Sequence, residues 1–317
     1  MTHYHSKPVG VNVIGGFLGA GKTTFLNYIL EEQKKERTDV IVREYGAVSI
    51  DDKLLKNVTG HIHVFPGVTV HDDPQLVLYD YLHKLYSDAA QPFDRLLMEC
   101  SGLDMPESLV HLFLVGHMPV HYRLNGYIAV VDAEYGLLNL EEFEVARQQV
   151  VFADAIVLNK VDLADEEQLS RLEERIKELN GMAEIYRSSY GRVPLKNVLN
   201  ISLYSQLKDL KIGKERKPMQ EIHTIVLSET RPMDKEKVNK WLNRLFEEEG
   251  NKILRSKGFF CFAGDDWRYE FQAVRKSFHS KADCLWEDGE ERKSTVVLIG
   301  SNLPDELSLR ESFSDCI

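Results

Sequence analysis

The sequence predicts an α/β protein: a doubly wound, mostly parallel sheet, followed by a smaller α+β domain. Three observations carry this. From Val9 to about Asn200, short apolar runs alternate with amphipathic stretches, the rhythm of strands buried on both faces under helices. A glycine-rich turn, Gly15 to Thr24, separates the first apolar run from the first amphipathic one. After a basic, polar segment, the rhythm changes to alternating strands separated by turn residues. A chain of 317 residues suits about two domains. The expected bounds are 1–207 for the first, 208–219 for a linker and 220–317 for the second.

The elements follow in order. Val9–Ile14, Val40–Arg43, His61–Phe65, Arg95–Met98, Gly126–Val131 and Ala155–Leu158 are apolar runs of strand length. Thr23–Lys34 follows the glycine-rich turn as a helix. Asp73–Leu85 and Pro106–Val115 carry proline where a first helical turn tolerates it. Asp165–Asn180 has Asp165 as cap, Leu169, Leu172, Ile176 and Leu179 on one face, and Gly181 as stop. Lys208–Pro218, KDLKIGKERKP, reads as an exposed linker. Beyond it, Glu221–Leu227 alternates as a strand, and Asp234–Glu248 repeats Val238, Trp241, Leu242, Leu245 and Phe246 at helical spacing. Phe259–Ala263, Arg268–Ser277 and Ser294–Ile299 are expected as three strands, and Pro304–Cys316 as a closing helix.

Composition excludes several classes. Apolar residues make up 43% and charged residues 28%, an ordinary globular balance. The net charge of −11 speaks against non-specific binding to nucleic acid or an anionic membrane. No run of 18 apolar residues is present, and Met1 to Pro8 lacks an apolar signal core, so the expected compartment is the cytoplasm. Four scattered cysteines form no CxxC pair. Monomer and homodimer both remain open.

The chemistry begins at GGFLGAGKTT, which holds G-x-x-x-x-G-K-[ST] as Gly16, Gly21, Lys22 and Thr23, between a strand and a helix. This is the phosphate loop of a P-loop NTPase. Glycines let backbone N–H groups turn inward around phosphates, and the helix N-terminus adds its positive dipole end. Gly16, Leu18, Gly19, Ala20, Gly21, Lys22, Thr23 and Thr24 are therefore expected to bind nucleotide, with Lys22 on the β- and γ-phosphates and Thr23 on Mg²⁺. The apolar run ending in Asn159-Lys160-Val161-Asp162 is an NKxD motif. A carboxylate at Asp162 accepts from guanine N1–H and N2–H₂, and adenine offers no such pair of donors, so GTP is favoured over ATP. Lys160 lays its stem over the ring. Between these motifs, Leu96-Leu97-Met98-Glu99-Cys100-Ser101-Gly102 ends a strand in an acid followed by glycine. Glu99 is expected to position the attacking water or a Mg²⁺-bound water, and the Gly102 N–H to meet the γ-phosphate. Lys22 and Glu99 are the expected catalytic residues. No catalytic arginine is obvious, so slow intrinsic turnover is expected. Cys100 reads as a packed residue, not a nucleophile.

These residues, with Gln148-Gln149 and the run Ala153 to Leu163, Val131-Asp132-Ala133 and Ser188-Ser189-Tyr190-Gly191, resemble the CobW family of P-loop GTPases, which is similar to the maturation GTPases of nickel enzymes. Arg231-Pro232, Arg255 to Gly258, Gln272, Trp286 and Val297 to Gly300 resemble that family's C-terminal module. The resemblance runs from Val11 to the end. It implies Ser188 as a further nucleotide contact. It also implies GTP-dependent handling of a divalent metal, usually zinc or cobalt, and its delivery to a client protein; the expected client is a metalloprotein or a cobalamin-dependent enzyme.

Two departures stand out. The family's switch segment reads Asn-Glu-Phe-Gly-Glu-x-Gly-Ile-Asp, and here it is Arg43-Glu44-Tyr45-Gly46-Ala47-Val48-Ser49-Ile50-Asp51. Glu44 and Asp51 stay as candidate contacts for Mg²⁺ or a cargo metal. The family's Gly-Cys-x-Cys-Cys is Gly67-Val68-Thr69-Val70-His71, without a thiolate. A substitute nitrogen and oxygen site from Glu44, His61, His63 and His71 would suit Zn²⁺, Co²⁺ or Ni²⁺. The competing reading makes His61 and His63 ordinary strand residues and Asp72-Asp73 a helix cap. His111, His117 and His121 form a weaker candidate cluster. The alternative function is a GTP-gated interaction chaperone with no cargo site of its own.

Overall fold

The computed structural model describes residues 8–44, 59–66, 74–88, 93–201, 223–287 and 289–317. The chain separates into two compact units, Met1–Ile201 and Ser202–Ile317. The expected linker lies outside the described residues, as do Asp51, Gly67 to His71, and the side chain of Glu44.

The first unit is a seven-stranded sheet in the order β3-β2-β4-β1-β5-β6-β7. Its strands are β1 (Val9–Gly15), β2 (Thr38–Glu44), β3 (Ile62–Pro66), β4 (Arg95–Glu99), β5 (Tyr122–Asp132), β6 (Ala155–Asn159) and β7 (Glu184–Arg187). Every pairing is parallel. The chain winds to both sides of β1, and the carboxyl ends beside such a reversal are where open α/β sheets bind ligands. β4 and β6 are buried at every position, which explains their unbroken apolar runs.

Helix α1 (Lys22–Glu32) buries Phe25, Leu26, Ile29 and Leu30 against Ile14, Val40, Leu97, Ile128 and Val157. Covering a side chain of this size stabilises by about 1.5–3 kcal/mol, so the helix behind the glycine-rich turn is anchored and the turn is held at a fixed place. Helices α2 (Pro74–Asp88) and α3 (Pro106–Leu112) occur where the prolines placed them. The short helices α4 (Met118–His121), α5 (Gly136–Glu142), α6 (Glu144–Val151) and α8 (Leu195–Leu199) were not expected, nor was the edge strand β7. Their segments are too short to show a period. Helix α7 (Glu166–Leu179) matches its expectation closely. The Asp165 carboxylate accepts the Gln168 N–H at 2.8 Å, the Gln168 side chain returns the bond, and Leu169, Leu172, Ile176 and Leu179 are buried.

The second unit is a five-stranded antiparallel sheet, order β11-β10-β9-β12-β8. It comprises β8 (His223–Glu229), α9 (Lys235–Glu249), β9 (Ile253–Cys261), β10 (Trp267–Val274), β11 (Ser277–Leu285), β12 (Ser294–Gly300) and α10 (Glu306–Ser314). Four strands, not three, follow the helix. The run Arg268–Ser277 is not one strand: it ends at Val274 and turns through Arg275, whose φ is 51°, into β11. A left-handed arginine gives no Asn-Gly or Gly signal for a hairpin. β11 is a polar edge strand, SFHSKADCL, with no buried position. Val238, Leu242, Leu245 and Phe246 of α9 pack with Phe260, Phe271, Leu298 and Phe313 as the unit's own core.

Candidate functional site

The carboxyl ends of β1, β4, β5 and β6 bring the expected motifs together. The turn after β1 holds Gly16, Gly19 and Gly21 at φ of 140°, 74° and 97°. Gly21 is the residue before α1, and a Cβ there would strike the Asn159 amide. Both its backbone and its space thus require glycine. Leu18 is exposed at the turn's tip and Thr24 on the first turn of the helix. Lys22 Nζ donates to the carbonyls of Gly16 at 3.0 Å and Phe17 at 3.2 Å, closing the loop on itself.

Thr23 and Glu99 meet directly. The Thr23 hydroxyl donates to Glu99 Oε1 at 2.7 Å, and Glu99 is buried at the end of β4. That bond uses the hydroxyl hydrogen and leaves oxygen lone pairs beside a carboxylate. This is a hard, all-oxygen donor set, the kind that suits Mg²⁺. Gly102 follows on the same side: a Cβ on it would stand 2.7 Å from the Leu18 nitrogen, so its backbone packs onto the phosphate loop. Cys100 is buried, and burial, with Asp104 and Glu99 nearby, pushes its thiol far above the ordinary range despite Arg43 and Lys22. It has no nucleophilic character.

Asn159 joins the two ends of the site. Its Nδ2 donates to the Ala20 carbonyl at 3.0 Å, and its Oδ1 accepts the Gly191 N–H at 2.9 Å. Lys160 sits at φ 62°, held there by the bond from the Val161 N–H to the Ser188 carbonyl at 3.1 Å. Such a backbone persists where its surroundings over-determine it, as at functional sites. Lys160 Nζ pairs with Asp132 Oδ2 at 2.6 Å. Asp162 stands exposed on a single 3-10 turn, Val161–Leu163. Ser188 is buried, and its hydroxyl has no partner among the described residues. A buried unsatisfied hydroxyl is costly unless a ligand completes it.

Asp132, which anchors Lys160, was missed, although it ends an apolar strand as Glu99 does. Arg43, Asp104 and Gln149 were given no role either, although Arg43 and Gln149 lie in segments compared with the family's pattern.

The expected transition-metal group is only partly assembled. His61 and His63 share a face, with ring centroids 6.0 Å apart, but they turn to Asp39. His63 Nε2 donates to Asp39 Oδ2 at 3.2 Å, and the Tyr81 hydroxyl meets Nδ1 at 2.8 Å, so both ring nitrogens are occupied. Glu44 closes β2 opposite Pro66, whereas His63 lies opposite Ile41. Three strand residues, about 10 Å, separate those positions along the sheet. His71 lies outside the described residues. Among the described residues, no three His, Cys, Asp or Glu side chains are grouped to hold a metal ion.

Comparison with known proteins agrees with this architecture. The family model described as "CobW/HypB/UreG, nucleotide-binding domain" matches residues 10–187, and that of the "Cobalamin synthesis protein cobW C-terminal domain" matches residues 222–317. The zinc chaperone YjiA of Escherichia coli is 32% identical over 318 residues, covering 97% of this chain and 98% of that protein. The zinc chaperone CobW of Pseudomonas aeruginosa is 28% identical, covering 92% of this chain and 88% of its own. The crystal structure of Zn(II)-bound YjiA GTPase from E. coli superposes with a TM-score of 0.68 at 30% identity, covering 98% of this chain and 99% of that one. With the nucleotide-binding model matched over more than half of the chain and the C-terminal module behind it, this chain belongs to the CobW/HypB/UreG family.

Proposed function

We propose that this chain hydrolyses GTP to GDP and phosphate and uses that cycle to deliver a divalent metal or metal cofactor to a client protein. The observation that carries the reading is Asn159. One buried amide bonds the phosphate loop at Ala20 and the loop at Gly191, so the phosphate and base readers form one site sized for a nucleotide. Gly16, Leu18, Gly19, Ala20, Gly21, Thr23 and Thr24 surround the phosphates. Lys22 leaves the Gly16 and Phe17 carbonyls for the β- and γ-phosphates. Asp162 accepts the guanine N1–H and N2–H₂, Lys160 covers the ring from its anchor on Asp132, and the Ser188 hydroxyl completes the base pocket.

Thr23 and Glu99 would hold Mg²⁺, with Glu44 and Asp51 as further candidates. The ion, when bound, neutralises charge on the β- and γ-oxygens. Glu99 orients the attacking water, and the Gly102 N–H stabilises the γ-phosphate. Water adds to the γ-phosphorus as its bond to the β-bridging oxygen breaks, releasing GDP and phosphate. The intrinsic rate is slow.

Zinc is the cargo named for the relatives, so it heads the set of Zn²⁺, Co²⁺ and Ni²⁺. The client is a metalloprotein or a cobalamin-dependent enzyme. The second reading, a GTP-gated chaperone without cargo, draws on a specific observation: Val68, Val70 and His71 stand where the family pattern has thiolates, and His63 is already committed to Asp39 and Tyr81. No described helix is long and apolar enough to cross a membrane.

The test is a titration of apo protein with the three metals in Mg-GDP and then in a non-hydrolysable GTP analogue. One-to-one binding that changes with nucleotide, and is lost in His71→Ala, supports delivery. Absence of binding in both states selects the second reading.

A further inference from the structure

The turn after Glu99, from Ser101 to Asp104, is braced from two sides by side chains from β2 and α6. Within the turn, Asp104 Oδ2 accepts the Ser101 N–H at 3.0 Å, and the Asp104 N–H bonds the Ser101 carbonyl at 3.1 Å. From one side, Arg43 Nη2 lies 3.5 Å from Asp104 Oδ1; the two side chains are 12% and 4% exposed, so water screens the pair little. Arg43 comes from the end of β2, one residue past the pairing of Val42 with Glu99. From the other side, Gln149 of α6 donates through Nε2 to the carbonyls of Gly102 and Asp104, both at 3.2 Å. Two facing carbonyls accept only from an amide NH₂, which settles the orientation of that amide. Its Oε1 is then buried and lacks a partner among the described residues. Gln149 also lines the small cavity it shares with Gly16 and Phe17 behind the phosphate loop. A buried amide with one satisfied and one unsatisfied end is costly for pure packing.

We infer that Arg43, Asp104 and Gln149 are positioning residues that hold the Gly102 turn in register with the γ-phosphate, so that the protein distinguishes GTP from GDP. The inference rests on the proposed contact between the Gly102 N–H and the γ-phosphate. None of the three touches the nucleotide in this account; they act through the turn. The source of each brace also matters. Arg43 is the first residue of the segment that resembles the family's switch, and it stands where that pattern has asparagine. α6 leads through Phe152 into β6, which carries Asn159. The turn is thus tied to both the switch and the base loop.

The experiment measures binding of GDP and of a non-hydrolysable GTP analogue, each with Mg²⁺, to the full chain by equilibrium titration. Gln149→Leu is expected to keep GDP affinity within about twofold and to weaken the analogue about tenfold, as expected for two neutral hydrogen bonds. Arg43→Ala, at the more exposed end of the brace, is expected to show the same selective loss at about fivefold, and Arg43→Lys to restore most of it by keeping the charge. Equal losses for both nucleotides, or no loss for either, would overturn the positioning role. Arg43→Ala decides the matter if Gln149→Leu fails to fold. Wild-type protein that binds the two nucleotides equally would instead remove the underlying γ-phosphate contact, a failure visible before any variant is made.

Discussion

Two polar clusters at opposite ends of the seven-stranded sheet differ in how far their hydrogen bonds are completed. At the amino end of β2 and β3, the Asp39 carboxylate, the His63 ring and the Tyr81 hydroxyl are matched to one another, beside a buried Thr38 hydroxyl that has no partner among the described residues. Asp39 accepts from the His61 N–H and from His63, and Tyr81 takes the other nitrogen of His63. At the carboxyl end, satisfaction is incomplete: the Ser188 hydroxyl and Gln149 Oε1 are buried without partners among the described residues, and Lys160 is held at positive φ. A closed cluster stabilises a fold, whereas open valence at the ligand end of an α/β sheet marks where something else must bind. The histidines drew attention in the sequence because of their type, but both ring nitrogens of His63 are taken by Asp39 and Tyr81.

The sharpest way to break this contrast is at the carboxyl end. Lys22→Ala removes the ammonium that closes the phosphate loop. Charge-assisted contacts to two phosphates are worth about 3 kcal/mol or more together, so affinity for GTP and GDP is expected to fall at least about a hundredfold. Retained wild-type affinity by calorimetry would remove the phosphate-loop assignment. Next in size is Asp162→Asn. The exposed carboxylate lies on a turn whose backbone is set by Ser188, so the substitution leaves the loop intact while changing what the base must offer. GTP is expected to weaken about tenfold or more and XTP to gain, since xanthine presents a carbonyl where guanine presents its amine. An unchanged ratio of the two in competition binding would sink the base-reading role.

Much of this was legible in the sequence because the motifs act through local backbone. Gly21, Lys22 and Thr23 declare a loop that only a strand and helix can frame, and Asn159 to Asp162 declare the base reader at the end of an apolar strand. α7 was legible through its cap and its 3.6-residue period. What stayed hidden depends on contacts distant in sequence. Gln149 reaches Gly102 across 47 residues, and Lys160 reaches Asp132 across 28; no local pattern encodes either. β11 was hidden for another reason: an edge strand with both faces accessible has no alternation to show. The setting of His61 and His63 was hidden by distance in sequence: spacing placed them on one face without revealing Asp39, which precedes them by 22 and 24 residues and bonds the His61 N–H and the His63 ring.

The smallest predicted effect lies at the amino end, and it separates structure from function. Burial pushes the Asp39 carboxyl up, but the hydrogen bond from His63, the His61 N–H and the charges of both histidines outweigh this and hold it below its ordinary value of 3.8. A carboxylate depressed in the folded state adds stability that is present above the unfolded value and is lost as pH falls through the folded one. Asp39→Asn keeps the shape and one acceptor but removes the charge that His63 donates to. It is expected to lower unfolding stability at pH 7 by about 1–2 kcal/mol and to flatten the part of the stability profile below about pH 4, read by denaturant unfolding across that range. GTP-analogue affinity should stay within about twofold, because the cluster lies at the opposite end of β2 from the phosphate loop. A variant that unfolds no more easily but loses nucleotide would mean that the amino-end cluster serves the site after all, and the contrast between the two ends would fall.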